Sequence, residues 1–139
     1  MRKLAKQLKD YIECWTHIGT PEMKKYYKWI LRNGKCFNKI GKPKHRGKMK
    51  ECYLNSQMAI NDRCAYYEGW AIRKEIQVPI EHAFNVRDHI VYDRTWEDGD
   101  CYFGVEIPWD FVIEKILETE IATNLLGQYY IDRILKPKT

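Results

Sequence analysis

Cys52, His82 and Asp93 are the side chains in this sequence whose types and surroundings fit nucleophilic catalysis. Cys52 follows a run of cations and lies where an apolar helical period begins. A helix N-terminus and nearby cations both favour thiolate over thiol, and the thiolate is the nucleophilic form. His82 sits in the strand-like stretch 79–86 and Asp93 in 90–96. With Arg87-Asp88 as a two-residue turn, Val86 faces His89 and His82 lies directly opposite Asp93. Opposed side chains share a face with their Cβ atoms ~4.5–5.5 Å apart. A carboxylate at that reach orients an imidazole and stabilises its protonated form. Asn85 is a competing orienter, but three residues along a strand its side chain faces the other way, so Asp93 is preferred.

Elements of two kinds must bring these residues together. Residues 2–15 place Leu4, Leu8, Tyr11, Ile12 and Trp15 at helical spacing. Thr20-Pro21-Glu22 reads as a helix start, with a hydroxyl cap, proline in the first turn and an acid behind it, and Asn33-Gly34 as its end. Residues 35–49 are rich in glycine, proline and cations and read as a loop. A third helix is predicted from about Met49 to Asn61, with Cys52 in its first turn. Strands are predicted over 65–72, interrupted at Gly69, and over 80–86, 90–92 and 101–107. After Pro108 an apolar helical stripe runs from Phe111 to Leu126 and breaks at Gly127, with a last short helix over 129–135. Helices, then an antiparallel sheet, then helices make an α+β arrangement. The expected division is a helical flank over 1–34, a basic loop over 35–49, a catalytic core over 50–107 and C-terminal helices over 108–139.

The order Cys, His, Asp, with the cysteine on a helix and the other two on neighbouring strands, resembles the transglutaminase-like branch of the papain-like cysteine enzymes. Tyr67-Glu68-Gly69-Trp70-Ala71 is similar to the strand that follows the cysteine helix in that group. His82-Ala83-Phe84-Asn85-Val86 is similar to its HAW-x-V strand, and Val91-Tyr92-Asp93-Arg94-Thr95-Trp96 to its V-x-D-P-T strand. The resemblance covers roughly residues 47–105. Tyr53 stands where many relatives carry Trp, and Arg94 where they carry Pro. The resemblance implies a papain-like core and attack by Cys52 on an amide carbonyl. The amide is peptide, isopeptide or glutamine-type, in a protein or a small molecule. A thioester is then released by water or an amine. It implies no metal and no organic cofactor. Glu68, Asn55, Asn85 and Tyr53 are the expected supporting or substrate-binding residues. Glu68 on an apolar strand is costly unless paired, or else it ends the strand facing water. Asn55, one turn after Cys52, suits a cap or loop tether better than a polarising role.

Composition bounds the alternatives. The chain has 139 residues, 45% hydrophobic and 14% aromatic, enough for a core. No apolar run approaches the ~20 residues of a membrane span, and the charged N-terminus lacks the apolar stretch of a signal peptide. Five cysteines at irregular spacing fit free thiols in a reducing compartment, and a cytoplasmic location follows as an expectation. Cys14-x-x-His17 with Cys36 and His45 lacks the spacing of a zinc site. The glycines of 41–49 are one residue too far apart for a phosphate-binding loop, and Met49 replaces its Ser/Thr. The net charge of +5 is uneven: residues 1–50 hold 15 Lys and Arg against 3 Asp and Glu, and residues 51–139 hold 9 against 16. The basic third either attracts an anionic partner or lies against the acidic remainder. The competing reading is therefore a non-catalytic binding protein, of the size of a phage- or mobile-element-borne factor, that holds an acidic protein or nucleic acid through loop 35–50.

Overall fold

A computed structural model describes residues 2–136 of the chain. Helix α1 (Arg2–Trp15) and helix α2 (Pro21–Asn33) form where the spacing predicts. The Thr20 hydroxyl caps α2 by accepting from the Met23 N–H at 3.2 Å, and the Gly34 N–H closes it on the Ile30 carbonyl. The next residues, expected as loop, begin with strand β1 (Lys35–Phe37). Helix α3 (Cys52–Gln57) is one and a half turns long, shorter than the expected helix, and Cys52 is its first residue. A 3₁₀ turn (Ile60–Asp62) follows. Strands β2 (Ala65–Arg73), β3 (Ile80–Arg87), β4 (Ile90–Tyr92) and β5 (Gly99–Ile107) complete the sheet. Helix α4 (Trp109–Thr119) ends at Glu120 in the left-handed region, well short of the predicted break. Gly127 lies inside a short helix α5 (Leu126–Tyr129), which passes into a π-helical turn over Tyr130–Leu135.

The five strands pair antiparallel in the order β1-β5-β2-β3-β4. The sheet curls until its edges are joined by chain. Phe37 pairs with β5, and Ile40 already bridges Val91 on β4. Extended chain covers at most ~3.6 Å per residue, so Phe37 on β1 and Ile40 beside β4 lie within about 11 Å of each other. The Gly41 N–H donates to the Val91 carbonyl and the Val91 N–H to the Lys39 carbonyl, 2.8 and 2.9 Å.

Alternation along the strands divides the buried residues between two cores. Tyr66, Trp70, Ile72, Ala83, Phe103 and Val105 meet Leu8, Ile12, Ile30, Phe111 and Leu126 from the helices. Phe37, Tyr67, Phe84, Val91, Trp96 and Tyr102 fill the inside of the curl. Strand β2 runs unbroken through Gly69, because a Cβ there would come 2.0 Å from the Phe103 carbonyl oxygen. Bare glycine lets β2 and β5 approach beside His82, which pairs with Gly69 from the other side.

The β3–β4 hairpin corrects the predicted register. Its turn is Asp88-His89, both with positive φ (54° and 65°), the type I′ geometry that suits a two-residue hairpin. Arg87 pairs with Ile90 and Val86 with Val91, a slip of two residues along β4. Since β4 stops at Tyr92, Asp93 is not a cross-strand partner of His82 but lies just past the strand. The slip is even, so side chains keep their predicted faces.

Candidate active site

Asp93 reaches His82 although the two are not paired in the sheet. His82 Nε2 and Asp93 Oδ2 are 2.8 Å apart, and both side chains are 1% exposed. The turn after β4 aims the carboxylate. Its Oδ1 accepts the backbone N–H groups of Thr95 and Trp96 at 2.9 Å each, and Oδ2 also accepts the Tyr102 hydroxyl at 2.5 Å. Four donors on one carboxylate leave it little freedom to turn. The indole of Trp96 then stacks on the imidazole, ring centres 3.7 Å apart and planes 10° from parallel. The guanidinium of Arg73 lies 5.0 Å from the centre of the same indole, and Asp98 holds it at 2.8 Å.

Cys52 joins this pair from α3. Cys52 and His82 line one cleft of about 790 Å³, and the thiol is near enough to the imidazole to help raise its pKa. Asp93 occupies Nε2, so Nδ1 is the ring nitrogen left for the sulfur. Burial pulls the His82 pKa down, but the hydrogen bonds and charges of Asp93 and Cys52 outweigh it and raise the pKa above the usual histidine value. Burial pushes the Asp93 carboxyl up, yet its bonds to His82, Trp96 and Tyr102 hold it below the usual aspartate value. Both shifts favour the charged pair.

Local wiring fixes α3 against the Asp93 turn. The Asn55 Nδ2 donates to the Thr95 hydroxyl and to the Lys48 carbonyl, 2.9 Å each. Gly47 makes room for that amide, because a Cβ there would sit 1.9 Å from Asn55 Oδ1. The Gly47 N–H donates to the Arg94 carbonyl at 2.8 Å, and Arg46 Nε to the Asp93 carbonyl at 3.2 Å. Lys50, two residues before Cys52, turns the chain with φ 69°. Asn55 thus has the tethering position expected of it.

The other supporting residues divide. Asn85 is fully buried on the opposite face from His82, and its Nδ2 donates to the Ser56 carbonyl at 3.1 Å and more weakly to Ala65. It holds α3 to the sheet and does not touch His82. Glu68 does not end a strand in water; it is 3% exposed. It accepts the Tyr66 hydroxyl at 2.6 Å and the N–H groups of Leu125 and Leu126 at 2.8–2.9 Å. Burial pushes its pKa up to about 7 against those donors. It therefore pins the C-terminal segment onto β2. Tyr53 lines the cleft beside Cys52, and burial raises its phenol above the usual range.

Sequence reasoning missed Tyr102, Trp96 and Thr95 as parts of the site. The signal was present: Thr95 and Trp96 directly follow Asp93, and Tyr102 faces inward on β5. Aromatic residues form the far wall of the cleft. Trp15 stacks on Tyr27 at 5.9 Å, and Tyr27 meets Trp70 at 6.2 Å. Lys50, Arg73 and Glu81 are its charged lining beside the triad.

The remaining thiols lack this setting. Burial raises the Cys36 thiol and pushes Cys101 up to about 11; Cys64 is buried and Cys14 exposed. Among the described residues no three His, Cys, Asp or Glu side chains converge as a metal site requires, and no helix is long and apolar enough to cross a membrane. Comparison of the chain with models of protein families, with curated proteins and with solved structures finds no match.

Proposed function

We propose that the protein is a cysteine hydrolase or acyltransferase acting on an amide through Cys52, His82 and Asp93, as its resemblance to transglutaminase-like enzymes implies. The observation that carries this reading is the buried His82–Asp93 pair at 2.8 Å, lining one open cleft with Cys52. Cys52 Sγ attacks the carbonyl carbon, and His82 Nδ1 takes the thiol proton. The tetrahedral adduct collapses to a thioester as His82 returns that proton to the departing amine. Water or a second amine then attacks the thioester with His82 again as base, and Cys52 leaves as the thiol. Asp93 keeps the imidazole proton on Nε2 and balances the charge that His82 carries between transfers. The aromatic wall suits a substrate with an apolar body next to the reacting amide.

Iodoacetamide alkylation read by intact mass and peptide mapping tests this. Cys52 is expected to react before the other four thiols, the exposed Cys14 included, and His82→Ala to slow it. An acyl adduct on Cys52 after incubation with cell extract, cleaved by hydroxylamine, would identify the thioester. Cys52 reacting no faster than Cys14, at a rate indifferent to His82→Ala, refutes the assignment.

A further inference from the structure

A second concavity, about 350 Å³, lies where the basic loop meets the hairpin and the turn before β2. Lys42 and Lys44 come from the loop, Arg63 from the turn, and Arg87 and Arg94 from the hairpin region. Asp62 is the single acid of the lining, and Arg94 already binds it at 2.5 Å. Five cations against one carboxylate leave a local charge of +4. Lys42, Lys44, Arg63 and Arg87 form no ion pair among the described residues. The Arg94 side chain is 12% exposed and its Nε is buried without a partner. Arg63 adopts φ 57°, a conformation that costs a non-glycine residue energy. Tyr92 adds a half-buried ring to the same pocket, with the Arg87 guanidinium 5.1 Å from its centre.

Like charges gathered from three chain segments repel one another, and solvent screens that repulsion only in part. Guanidinium groups are matched best by phosphate oxygens, which accept two parallel N–H donors. A single carboxylate would leave most of the positive charge uncovered; linked phosphates would neutralise it, and the volume admits them. We infer that this pocket binds a multiply charged phosphoryl group, of the diphosphate kind, at a site separate from the Cys52 cleft. The phosphoryl group belongs either to a small free ligand or to a nucleic-acid strand. Sequence analysis placed an anionic partner on loop 35–50 alone; here three arginines from the acidic part of the chain complete the site.

Isothermal titration of the full chain with inorganic pyrophosphate at low ionic strength tests the inference. One site per chain is expected, weakened about tenfold by Arg63→Gln and by Arg87→Gln, the range of a lost charge-assisted bond. Lys25→Gln and Lys28→Gln on α2, outside the pocket, should leave it unchanged. Both arginines are exposed, and an unaltered rate of Cys52 alkylation in their variants shows that the fold is kept. No saturable binding, or equal weakening by the α2 variants, overturns the inference. A short single-stranded oligonucleotide distinguishes the two sources: an oligonucleotide that pyrophosphate displaces, with the same dependence on Arg63, identifies the ligand as a nucleic-acid phosphate. Pyrophosphate binding with no oligonucleotide binding identifies a small free ligand. An oligonucleotide that binds but is not displaced sits on another surface, and with pyrophosphate binding still dependent on Arg63 the ligand of this pocket is the small free one.

Discussion

Replacing Asp93 with asparagine separates the carboxylate charge from the shape of the site. Asp93 Oδ1 meets two backbone N–H donors, while Oδ2 meets His82 and Tyr102. The new amide must keep its oxygen on the two N–H groups and turn its NH₂ toward the imidazole. His82 Nε2 then has to accept, which moves the ring proton to Nδ1 and removes the acceptor for the Cys52 thiol proton. The lost charge-assisted bond is worth about 1.5–3 kcal/mol. At about 1.4 kcal/mol per tenfold, the thiolate–imidazolium pair falls about 10–150-fold relative to the neutral pair. The assay is the rate of Cys52 alkylation by iodoacetamide as a function of pH, read by intact mass. Native protein should alkylate faster than Asp93→Asn near pH 6.5, because Asp93 helps raise the His82 pKa and so favours transfer of the thiol proton to the ring. Asp93→Asn should lose most of this reactivity there and recover only where free thiols ionise. The Tyr102 hydroxyl also loses its acceptor, so urea denaturation should show a cost of about 1–3 kcal/mol. A native alkylation profile in folded Asp93→Asn would refute the assigned role of the carboxylate.

Three further outcomes follow from the wiring around the site. Asn55→Ala removes both bonds that tie α3 to Lys48 and Thr95; stability should drop by about 1–3 kcal/mol in urea titration, and Cys52 alkylation should slow although Asn55 touches neither Cys52 nor His82. Glu68 has a folded pKa of about 7 against an ordinary 4.5, so the folded chain holds its proton more tightly than the unfolded chain does. Its contribution is fully present below pH 4.5 and is lost as pH rises to about 7, a fall in stability of about 3 kcal/mol that Glu68→Gln should flatten in melts across that range. Gly69→Ala drives a methyl into the Phe103 carbonyl; a loss of about 1–3 kcal/mol is expected, with slower Cys52 alkylation because β2 shifts beside His82.

How far the site could be read ahead of the structure depends on the kind of signal. Helix α1 carried an apolar period and α2 both caps and a period, and both formed where expected. The strands showed alternation or dense aromatics, and their spans agree within two residues. β1 was not visible, since three residues among lysines carry no period; it forms only because β5 offers an edge to Lys35–Phe37. The end of α4 was missed because Ile121, Leu125 and Leu126 continue the apolar spacing. The helix ends instead at Glu120 in the left-handed region, and Glu68, far away in sequence, accepts the Leu125 and Leu126 N–H groups where α5 begins. The meeting of His82 and Asp93 was foreseen from the wrong register. The even slip kept the paired residues of β3 and β4 on their faces, and the turn after β4, through the Thr95 and Trp96 N–H groups, brings the Asp93 carboxylate to His82. Tyr102 went unseen because its partner comes from a turn, where no periodicity speaks.

The charge asymmetry had two outcomes open to it, and the ion pairs decide between them. If the basic third lay against the acidic remainder, Lys and Arg of 1–50 would be joined to carboxylates of 51–139. Among the described residues one such pair occurs, Arg46 with Glu97 at 3.9 Å. The acids instead bind cations of their own segment: Asp62 with Arg94, Asp98 with Arg73, Asp132 and Glu118 with Lys115, and Asp110 and Glu114 with Arg133. The positive charge of the first third is therefore left largely without carboxylate partners among the described residues, and its Lys42 and Lys44 line the second pocket together with Arg63, Arg87 and Arg94 from the rest of the chain. The same loop that carries Lys42 and Lys44 goes on to Arg46 and Gly47, which bond the Asp93 and Arg94 carbonyls. The proposed anion pocket and the setting of the Asp93 carboxylate thus share one short stretch of backbone, and pyrophosphate should change the Cys52 alkylation rate only if that stretch moves when the pocket fills.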